Sequence, residues 1–400
     1  MANDVEYDAI VVGLGAMGSA ALYQLAKRGA RVLGIDRFDP PHDRGSSHGE
    51  TRITRLAIGE GRHYVPLALR SHEIWRELEE VTGEELLRVT GGLFFSGAVQ
   101  ASAVHGASDF IGETIAAAEA FGVPHEVLDA RELAARFPQF VVQGSERGYY
   151  EREAGFVRPE RCIAAQLAVA ASRGAEIQRG ETVAAIEPTA PDRARVVTAR
   201  GSYTAPRVVL TAGPWVRDFL ATPLTGHFSI YRQLLFWFEV EGAIADFEPE
   251  RFPVFIRTDR VRDDVVYGFP AIDGPRGGIK IASEQYAETC VPDELARDVT
   301  RAEERAMAEL ARRFIRIAPR CLRAVACPFT VTPDGEFVID FHPDHPELIV
   351  ASPCSGHGFK HSAAVGELLA ELAIDGTTRF DRRPFRIARL GGRGARSGER

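Results

Sequence analysis

The first 36 residues carry the pattern that most restricts how this chain can fold. Its order is an apolar segment at 8–12, the run Gly13-Leu14-Gly15-Ala16-Met17-Gly18, a helical pattern over 19–28 and a second apolar segment ending in Asp36. Strand, glycine turn, helix, strand and acid in this order predict a βαβ unit that binds a dinucleotide. The first glycine permits the tight turn, the second lets backbone approach a pyrophosphate, and the third lets the helix pack on the strand. We therefore expect the phosphates at the helix N-terminus and a ribose beside the acid.

The identity of the dinucleotide is less restricted by this pattern. A carboxylate at Asp36 disfavours NADP, because it would repel the 2′-phosphate. The motif alone does not separate NAD from FAD. A second buried strand over 207–213, which ends in Thr211-Ala212-Gly213, favours FAD, because FAD proteins of the glutathione-reductase type often have such a strand. An NAD-dependent dehydrogenase and a flavin-binding protein without oxidase turnover remain the alternatives.

Composition excludes several classes of protein. The 400 residues are 45% hydrophobic and include 56 acidic against 48 basic side chains, for a net charge of -8, which argues against nucleic-acid binding. There is no run of 18 apolar residues for a membrane span and no basic, apolar secretion signal at the start. Five scattered cysteines without a CxxC pair argue against a disulfide framework or a metal site. We expect a cytoplasmic enzyme with no membrane or nucleic-acid partner and no metal.

Strand and helix patterns alternate along the chain in a way that predicts two interleaved domains. The predicted fold class is α/β: a Rossmann-like FAD-binding domain of the glutathione-reductase type, interleaved with an antiparallel-sheet α+β substrate domain. The expected boundaries are 1–88, 150–224 and 328–390 for the FAD-binding domain, 89–149 and 225–327 for the substrate domain, and 391–400 for a disordered tail. Further predictions are a long ordered loop over 37–65 and helices over 66–88 and 293–316.

Several longer motifs are more specific than the glycine pattern. They are Pro40-Pro41-His42, Gly45-Ser46-Ser47-His48-Gly49-Glu50-Thr51-Arg52-Ile53-Thr54-Arg55, Gly59-Glu60-Gly61, Tyr64-Val65-Pro66-Leu67, Tyr267-Gly268-Phe269-Pro270, Cys327, Ile339-Asp340 and Ser355-Gly356-His357-Gly358-Phe359-Lys360. Together, in this order, they resemble the monomeric sarcosine oxidase and N-methyltryptophan oxidase family from about residue 8 to 390.

The resemblance implies a covalently bound FAD and the oxidation of a secondary-amine amino acid. A hydride passes to flavin N5, oxygen reoxidises the flavin to give hydrogen peroxide, and the imine product hydrolyses. With sarcosine the products would be glycine and formaldehyde. N-methyltryptophan, pipecolate or proline-like rings, and sugar-derived amines are the alternative substrates. The resemblance also implies a monomer.

Catalytic roles follow from the resemblance. Cys327 matches the cysteine that carries the flavin through a thioether, and Arg52 and His48 match residues close to the flavin ring. Lys280 matches a lysine near flavin N5 that promotes oxygen reduction. Its own setting agrees, because period-2 alternation places it opposite two isoleucines and a fixed cation stabilises developing superoxide. It is one of only three lysines among the 48 basic residues.

The resemblance assigns the substrate pocket as well. Arg55 and Lys360 match the pair that holds the substrate carboxylate, and Tyr267 matches an aromatic residue near the amine. Glu284 and Phe329 stand where the family commonly has histidine and tyrosine, and Ser47 also replaces a frequent histidine. Glu284 would place a carboxylate near the amine, which would either favour a cationic or larger substrate or weaken the binding of a small zwitterion. The departures leave the oxidase interpretation intact and put sarcosine itself in doubt as the preferred substrate.

A last set of residues is expected to contact the cofactor. Gly356 and Gly358 would let backbone approach the pyrimidine edge of the flavin, and the helix beginning near Lys360 would point its N-terminus at an anionic reduced flavin. The complete expected cofactor set is Gly13, Leu14, Gly15, Ala16, Met17, Gly18, Asp36, Arg37, Ser46, Thr51, Arg52, Val183, Cys327, Gly356, Gly358 and Lys360.

Overall fold

The structure, a computed structural model, describes residues 5–96, 109–190, 192–259 and 264–391. Strands and α-helices are numbered in chain order. Within these ranges the helices are α1 Ala16–Lys27, α2 Val65–Thr82, α3 Phe110–Phe121, α4 Ala130–Arg136, α5 Pro159–Ser172, α6 Arg301–Ala311, α7 Ser362–Asp375 and α8 Ala388–Gly391. None of these helices is long and apolar enough to cross a membrane. The predicted tail began at 391, but Gly391 ends α8, and 392–400 lie outside the described residues.

A six-stranded sheet collects strands from the start, middle and end of the chain. In spatial order its strands are β10 Glu176–Arg179, β3 Val32–Asp36, β2 Ala9–Val12, β14 Val208–Leu210, β21 Leu348–Ser352 and β20 Val338–Phe341. All neighbouring pairs are parallel except β20 with β21. Because β2 lies beside β14, the glycine turn after β2 is next to the segment that follows β14.

Both faces of the six-stranded sheet are covered. Ala9 and Val11 of β2 face the helices α1, α2, α5 and α7, and form one apolar core with them. Ile10 and Val12 face the other way and pack on a four-stranded sheet. This alternation on a strand buried on both sides explains why its sequence is apolar throughout.

The four-stranded sheet and a small three-stranded sheet flank the parallel sheet. The first has the order β1 Val5–Glu6, β13 Ser202–Ala205, β12 Arg193–Thr198 and β11 Val183–Ala190. The second has the order β4 Arg52–Thr54, β9 Gly155–Val157 and β5 Leu87–Val89. The expected loop over 37–65 therefore contains a strand, β4, which pairs with β9. The helix expected to reach residue 88 ends at Thr82, because Gly83 caps it at φ +72°.

An eight-stranded sheet forms the second large layer. Its order is β19 Ile317–Val331, β15 Ser229–Val240, β18 Ile279–Ser283, β17 Asp264–Phe269, β16 Val254–Asp259, β6 Gly92–Ser96, β8 Arg147–Glu151 and β7 His125–Leu128. Only the β16–β6 pair is parallel among these described strands. Phe236, Phe238 and Ile281 pack beneath α6. Leu235, Trp237 and Ala282 form a cluster on the opposite face.

The expected helix over 293–316 is wrong in extent. A capping box begins the helix later, because the Thr300 backbone N–H donates to the Glu303 carboxylate (2.7 Å) and the Glu303 backbone N–H donates to the Thr300 hydroxyl (3.3 Å). The helix ends at Ala311, and the buried residues Phe314 and Ile315 lead into β19. The predicted fold class, a mostly parallel sheet with a separate antiparallel sheet, is confirmed.

Candidate active site

Two adjoining cavities lie where the large sheets meet. The first, about 250 Å³, opens at the carboxyl ends of β2, β3, β14 and β21. The second, about 180 Å³, is lined by one face of the eight-stranded sheet and by the segment before α7. The two share a set of lining residues: Ala16, Met17, Ser46, Ser47, Thr330, Pro353 and Cys354. A ligand that spans both cavities would pass the N-terminus of α1.

The three motif glycines face three different surroundings. Gly13 has φ +89°, and a Cβ there would lie 2.6 Å from the carbonyl oxygen of Thr211. A Cβ on Gly18 would lie 1.7 Å from the carbonyl oxygen of Gly13, so helix and turn pack without space for a side chain. Gly15 has room, since only the Ser47 hydroxyl lies near, at 3.8 Å. Close packing within the protein therefore requires glycine at the first and third positions. At the second position the protein leaves room for a side chain, so glycine there keeps space free in the cavity for a ligand.

Asp36 closes the first cavity at the end of β3. Its carboxylate accepts hydrogen bonds from the backbone N–H of Leu14 (2.7 Å) and of Phe38 (2.8 Å). A carboxylate has about four acceptor positions, so it can still accept a ribose hydroxyl. Arg37 stacks on Trp215, with its guanidinium carbon 5.3 Å from the ring centroid, and Val183 lines the same cavity.

The residues around the first cavity fit a dinucleotide. No side chain caps the N-terminus of α1, so the backbone N–H groups of its first turn remain available for a pyrophosphate. At the junction of the cavities the hydroxyl of Thr330 is buried and has no hydrogen-bond partner among the described residues. A buried hydroxyl without a partner is costly, and a bound polar ring would supply one.

Cys327 lies on β19 and lines the second cavity. Burial raises the pKa of its thiol, while the positive charges of Arg52 and Lys280 lower it. Next to it, the Ser46 hydroxyl donates to the Pro328 carbonyl (2.7 Å), which joins the loop after β3 to β19. The cysteine is thus a buried thiol with two cations near enough to favour its thiolate.

Lys280 is buried, with 2% of its surface exposed. Its ammonium donates to the Gly49 carbonyl (2.7 Å), the Thr51 carbonyl (2.7 Å) and the Thr51 hydroxyl (3.0 Å). It also lies 4.3 Å from the ring centroid of Phe269. Burial and, to a smaller degree, Arg52 lower the pKa of this lysine well below its ordinary value, whereas the three oxygens hold its protonated form.

Arg52 and His48 differ in their placement. Arg52 lines the second cavity and donates to the carbonyls of Thr51 (2.8 Å) and Ser46 (2.7 Å). His48 is buried beside it but lines neither cavity, and its Nε2 has no partner among the described residues. Burial and the charge of Arg52 lower the pKa of His48 to about 4, so the imidazole is neutral at pH 7.

A buried cluster of two cations and one carboxylate forms one end of the second cavity. Glu60 accepts from Arg55 at 2.5 Å through one oxygen and pairs with the Lys360 ammonium at 3.3 Å through the other. Arg55 is fully buried, donates to the Ala57 carbonyl (2.9 Å) and stacks against Phe110. The two cations predicted to bind a carboxylate are therefore placed together around a carboxylate of the chain itself.

Sequence reasoning assigned no role to Glu60, although it stands in the quoted run Gly59-Glu60-Gly61. A glutamate between two glycines near a predicted carboxylate site was the available signal. Lys360 also donates to the His357 carbonyl (2.9 Å). Burial lowers its pKa to about 8, against the opposing effect of Glu60. The protonation state of this cation thus depends on pH near neutrality.

The opposite wall of the second cavity carries Tyr267, Glu284 and Phe329. The Tyr286 hydroxyl donates to the Glu284 carboxylate (2.6 Å), and the Tyr286 ring meets Phe329 edge-on at 6.1 Å. Burial and the charge of Glu284 raise the pKa of Tyr267 above its ordinary value, while Arg52 opposes them, so this phenol stays protonated. Tyr286, which does not itself line the cavity but holds Glu284 and packs on Phe329, was not predicted from the sequence.

Glycines shape the segment before α7. Gly356 has φ +87°, and a Cβ on Gly358 would lie 1.9 Å from the Pro353 carbonyl oxygen. Both line the second cavity, as do the predicted residues around them. Of all predicted site residues, five line neither cavity: Leu14, Gly18, His48, Thr51 and Lys280. Among the described residues, no three His, Cys, Asp or Glu side chains are grouped to hold a metal ion.

Comparisons with known proteins identify the family to which the chain belongs. Residues 8–372 match the family described as FAD dependent oxidoreductase. The chain is 43% identical over 374 residues to a monomeric sarcosine oxidase of Streptomyces avermitilis, covering 93% of this chain and 94% of that one. It is 34% identical over 394 residues to an N-methyl-L-tryptophan oxidase of Yersinia pestis, covering 96% and 100%.

Solved structures give the same result at the level of the fold. The amino acid oxidase NikD, essential for nikkomycin biosynthesis, superposes with a TM-score of 0.80 at 25% identity, covering 96% of this chain and 97% of that one. L-proline dehydrogenase from P. horikoshii superposes with a TM-score of 0.75 at 19% identity, covering 97% and 98%. The resemblance noted in the sequence and the dependence on FAD are confirmed, and the chain belongs to the family of FAD-dependent oxidoreductases.

Proposed function

We propose that this FAD-dependent enzyme oxidises a secondary-amine amino acid such as sarcosine and passes the electrons to oxygen. The observation that carries the proposal is the buried pair Arg55 and Lys360, which holds a carboxylate in the cavity adjoining the dinucleotide cavity. The similarity to relatives named for oxidising sarcosine and N-methyltryptophan supports it. FAD, when bound, supplies an acceptor for the hydride of the substrate and a donor of electrons to oxygen, with hydrogen peroxide as the product.

The cofactor would be held along both cavities. The N-terminus of α1 would take the pyrophosphate, Asp36 a ribose, and the junction at Thr330 a polar edge of the flavin. Cys327 is our candidate for the covalent link, because it is the cysteine of β19 that lines the second cavity beside Arg52. Cys354 also lines that cavity, but burial raises its pKa to about 11 with no cation opposing it.

The carboxylate of the substrate would join Glu60 at the two cations. Arg55 offers a planar set of N–H groups and Lys360 a compact charge, and both are already desolvated. The Nε–H of Arg55 is buried with no hydrogen-bond partner among the described residues, and Lys360 donates to Glu60 and to the His357 carbonyl, so each cation retains a donor for a second carboxylate. These contacts would fix one end of the substrate.

The amine of the substrate must be unprotonated for its lone pair to assist C–H cleavage. Three cations, Arg52, Arg55 and Lys360, line the cavity against the two carboxylates of Glu60 and Glu284, and this positive balance disfavours a protonated amine beside the cations. We therefore assign no general base. Placement of the reacting carbon, fixed by the carboxylate, would be the main contribution of these residues to the rate.

Lys280 is our candidate for promoting oxygen reduction. Its three hydrogen bonds fix a buried cation beside the loop that carries Arg52. A fixed cation stabilises the negative charge that develops when oxygen takes its first electron. We also propose that the enzyme acts as a monomer, with the FAD-binding and substrate domains divided as the sequence suggests.

The proposal is tested by peroxide release in air from the purified yellow protein. Sarcosine, N-methyltryptophan, pipecolate, proline and glycine are compared side by side. Peroxide with at least one secondary amine and none with glycine is the expected result. No peroxide with any of them, while an artificial electron acceptor is reduced, would contradict the oxidase and favour a dehydrogenase.

A further inference from the structure

One wall of the substrate cavity carries a negative charge that the proposed reaction does not use. Glu284 follows β18 and lines the cavity together with Tyr267 and Phe329. The hydroxyl of Tyr286 donates to its carboxylate at 2.6 Å, which fixes the orientation of the carboxylate. The wall is therefore both aromatic and acidic.

The carboxylate of Glu284 lies in the same cavity as the cation pair Arg55 and Lys360. Glu284 and Lys360 line the same cavity, and the charge of Glu284 is close enough to raise the pKa of Lys360. Lys360 belongs to the segment before α7, whereas Glu284 directly follows β18 of the eight-stranded sheet. A ligand whose carboxylate lies between the cations Arg55 and Lys360 therefore shares the cavity with a carboxylate of the protein, Glu284. That carboxylate can pair with a positive charge elsewhere on the ligand.

Aromatic rings complete the surroundings of Glu284. Tyr286 meets Tyr231 edge-on at 5.6 Å and Phe329 at 6.1 Å, and 46% of its own surface is exposed. Ring faces and a carboxylate together form the surroundings that stabilise an organic cation. A neutral apolar substituent would contact the rings but would desolvate the carboxylate without replacing its water.

We propose that Glu284, positioned by Tyr286, is a specificity-determining residue that selects amino acids carrying a second, cationic group in addition to the carboxylate and the reacting amine. This inference rests on the proposed function and narrows its substrate class to basic or otherwise dicationic secondary amino acids. The substrate carboxylate pairs with Arg55 and Lys360, and the second cation pairs with Glu284.

The first experiment measures binding and does not depend on turnover. Hexanoate and 6-aminohexanoate have the same length and carboxylate, and differ in a terminal ammonium. Their dissociation constants are determined from the change in flavin absorption of the holoenzyme. We expect 6-aminohexanoate to bind about tenfold more tightly or better in the wild type, because a charge-assisted hydrogen bond is added. In Glu284→Gln the two ligands should bind equally.

A matched control is available four residues later. Glu288 is exposed and does not line the cavity, so Glu288→Gln removes the same net charge without touching the site. It should keep the preference for 6-aminohexanoate. Equal binding of the two ligands to the wild type, or an equal loss of preference in both variants, would overturn the proposal.

Turnover then tests the substrate class. Racemic Nα-methyl-lysine, N-methyl-norleucine and N-methyl-2-aminoadipate are compared by peroxide release, with sarcosine as a reference. The cationic substrate should have the highest kcat/KM in the wild type, and Glu284→Gln should lower it toward that of N-methyl-norleucine. An equal change for all substrates would show that Glu284 acts on the shared amine and would contradict the inference. Peroxide from none of them, with the binding preference intact, would contradict only the proposed function.

Discussion

Two of the three lysines of this arginine-rich chain are buried at the candidate active site, whereas Lys27 forms an ion pair with Glu77 at the surface. Lysine differs from arginine in that burial can remove its proton. The pKa values of Lys280 and Lys360 are both lowered, mainly by burial. At the residue scale, two of the three lysines thus stand at buried positions where the protonation state of a compact cation can change.

Lys280 is predicted to affect the reaction with oxygen far more than the reaction with the amine. Lys280→Met removes the fixed cation, so reoxidation of the reduced enzyme by air should slow by about 10²-fold, the effect of removing one group that stabilises developing negative charge. Stopped-flow measurement of the oxidative half-reaction checks this. Lys27→Met is the matched control at an exposed lysine. Unchanged reoxidation in Lys280→Met would exclude the proposed role.

The charge of Lys360 is predicted to set an alkaline limit on carboxylate binding. Because burial lowers its pKa to about 8, the ammonium is present below that pH and is lost above it. The dissociation constant of hexanoate should therefore be constant near pH 7 and rise above about pH 8. Lys360→Arg keeps a charge at all these pH values and should remove the rise. A rise that persists unchanged in Lys360→Arg would assign the titration to another group.

Cys327 is predicted to be the residue that retains the flavin after denaturation. Acid precipitation of the wild type should leave the yellow colour in the pellet, and Cys327→Ser should release it into the supernatant. Cys354→Ser is the control, since Cys354 lines the same cavity. Release of free flavin from the wild type would show that no covalent link forms.

At the element scale, the turn between β2 and α1 separates the effects of two glycines. Gly18→Ala should destabilise the fold, because its methyl group would lie 1.7 Å from the Gly13 carbonyl oxygen. Gly15→Ala has room in the protein itself and should leave the apoprotein folded while weakening FAD binding by more than about tenfold. Circular dichroism and flavin content measure the two effects. Normal FAD content in Gly15→Ala would show that the cofactor does not approach this turn.

Local patterns were sufficient to predict some elements and not others. In the unit β2–α1–β3, the hydrophobic periodicity, the glycines and the acid all indicate the same structure. The observed strands and helix lie close to the predicted positions. The strand β19 Ile317–Val331, which carries Cys327, was not predicted: the expected helix over 293–316 stops just before it, and no element was assigned to the strand itself. Its pairing with β15 is a long-range contact that decides its structure, and local propensity does not report such contacts.

In the candidate site, too, some residues could be predicted from local sequence motifs and others could not. Cys327, Arg55 and Lys360 were recognised from motifs, whereas Glu60 and Tyr286 were not assigned. Glu60 is recognisable only once Lys360, 300 residues away in the chain, is brought to it beside the neighbouring Arg55. Residues that act by holding others carry little local signal, because their role depends on which elements meet in space.

At the scale of the whole molecule, one short segment is held by the eight-stranded sheet and by the turn before α7. Lys280 of β18 binds the carbonyls of Gly49 and Thr51, and Lys360 of the segment before α7 reaches Glu60. Between these points, Glu151 of β8 is fully buried and accepts from the backbone N–H groups of Leu56 (2.6 Å) and Ala57 (3.1 Å). The segment 49–60 therefore ties the carboxylate-binding cations to the position of the eight-stranded sheet.

Glu151 is accordingly predicted to be a positioning residue for Arg55, which donates to the carbonyl of Ala57. In Glu151→Gln an amide N–H₂ would face one of the two backbone N–H donors, so the turn after Arg55 would lose a hydrogen bond. Hexanoate should bind about tenfold more weakly, with normal FAD content and an unchanged alkaline limit, because Lys360 is not altered. Hydrogen exchange of residues 55–60 should increase in the same variant.

Tyr149 provides the control for that prediction. Its hydroxyl donates to the same carboxylate of Glu151 at 2.9 Å, so Tyr149→Phe removes this one hydrogen bond and leaves the two backbone hydrogen bonds of the turn in place. It should weaken hexanoate binding less than Glu151→Gln does. If the two variants weakened binding equally, or if Glu151→Gln changed only thermal stability, the sheet would support the fold without orienting Arg55, and the position of that guanidinium would have to be set by Glu60 and Phe110 alone.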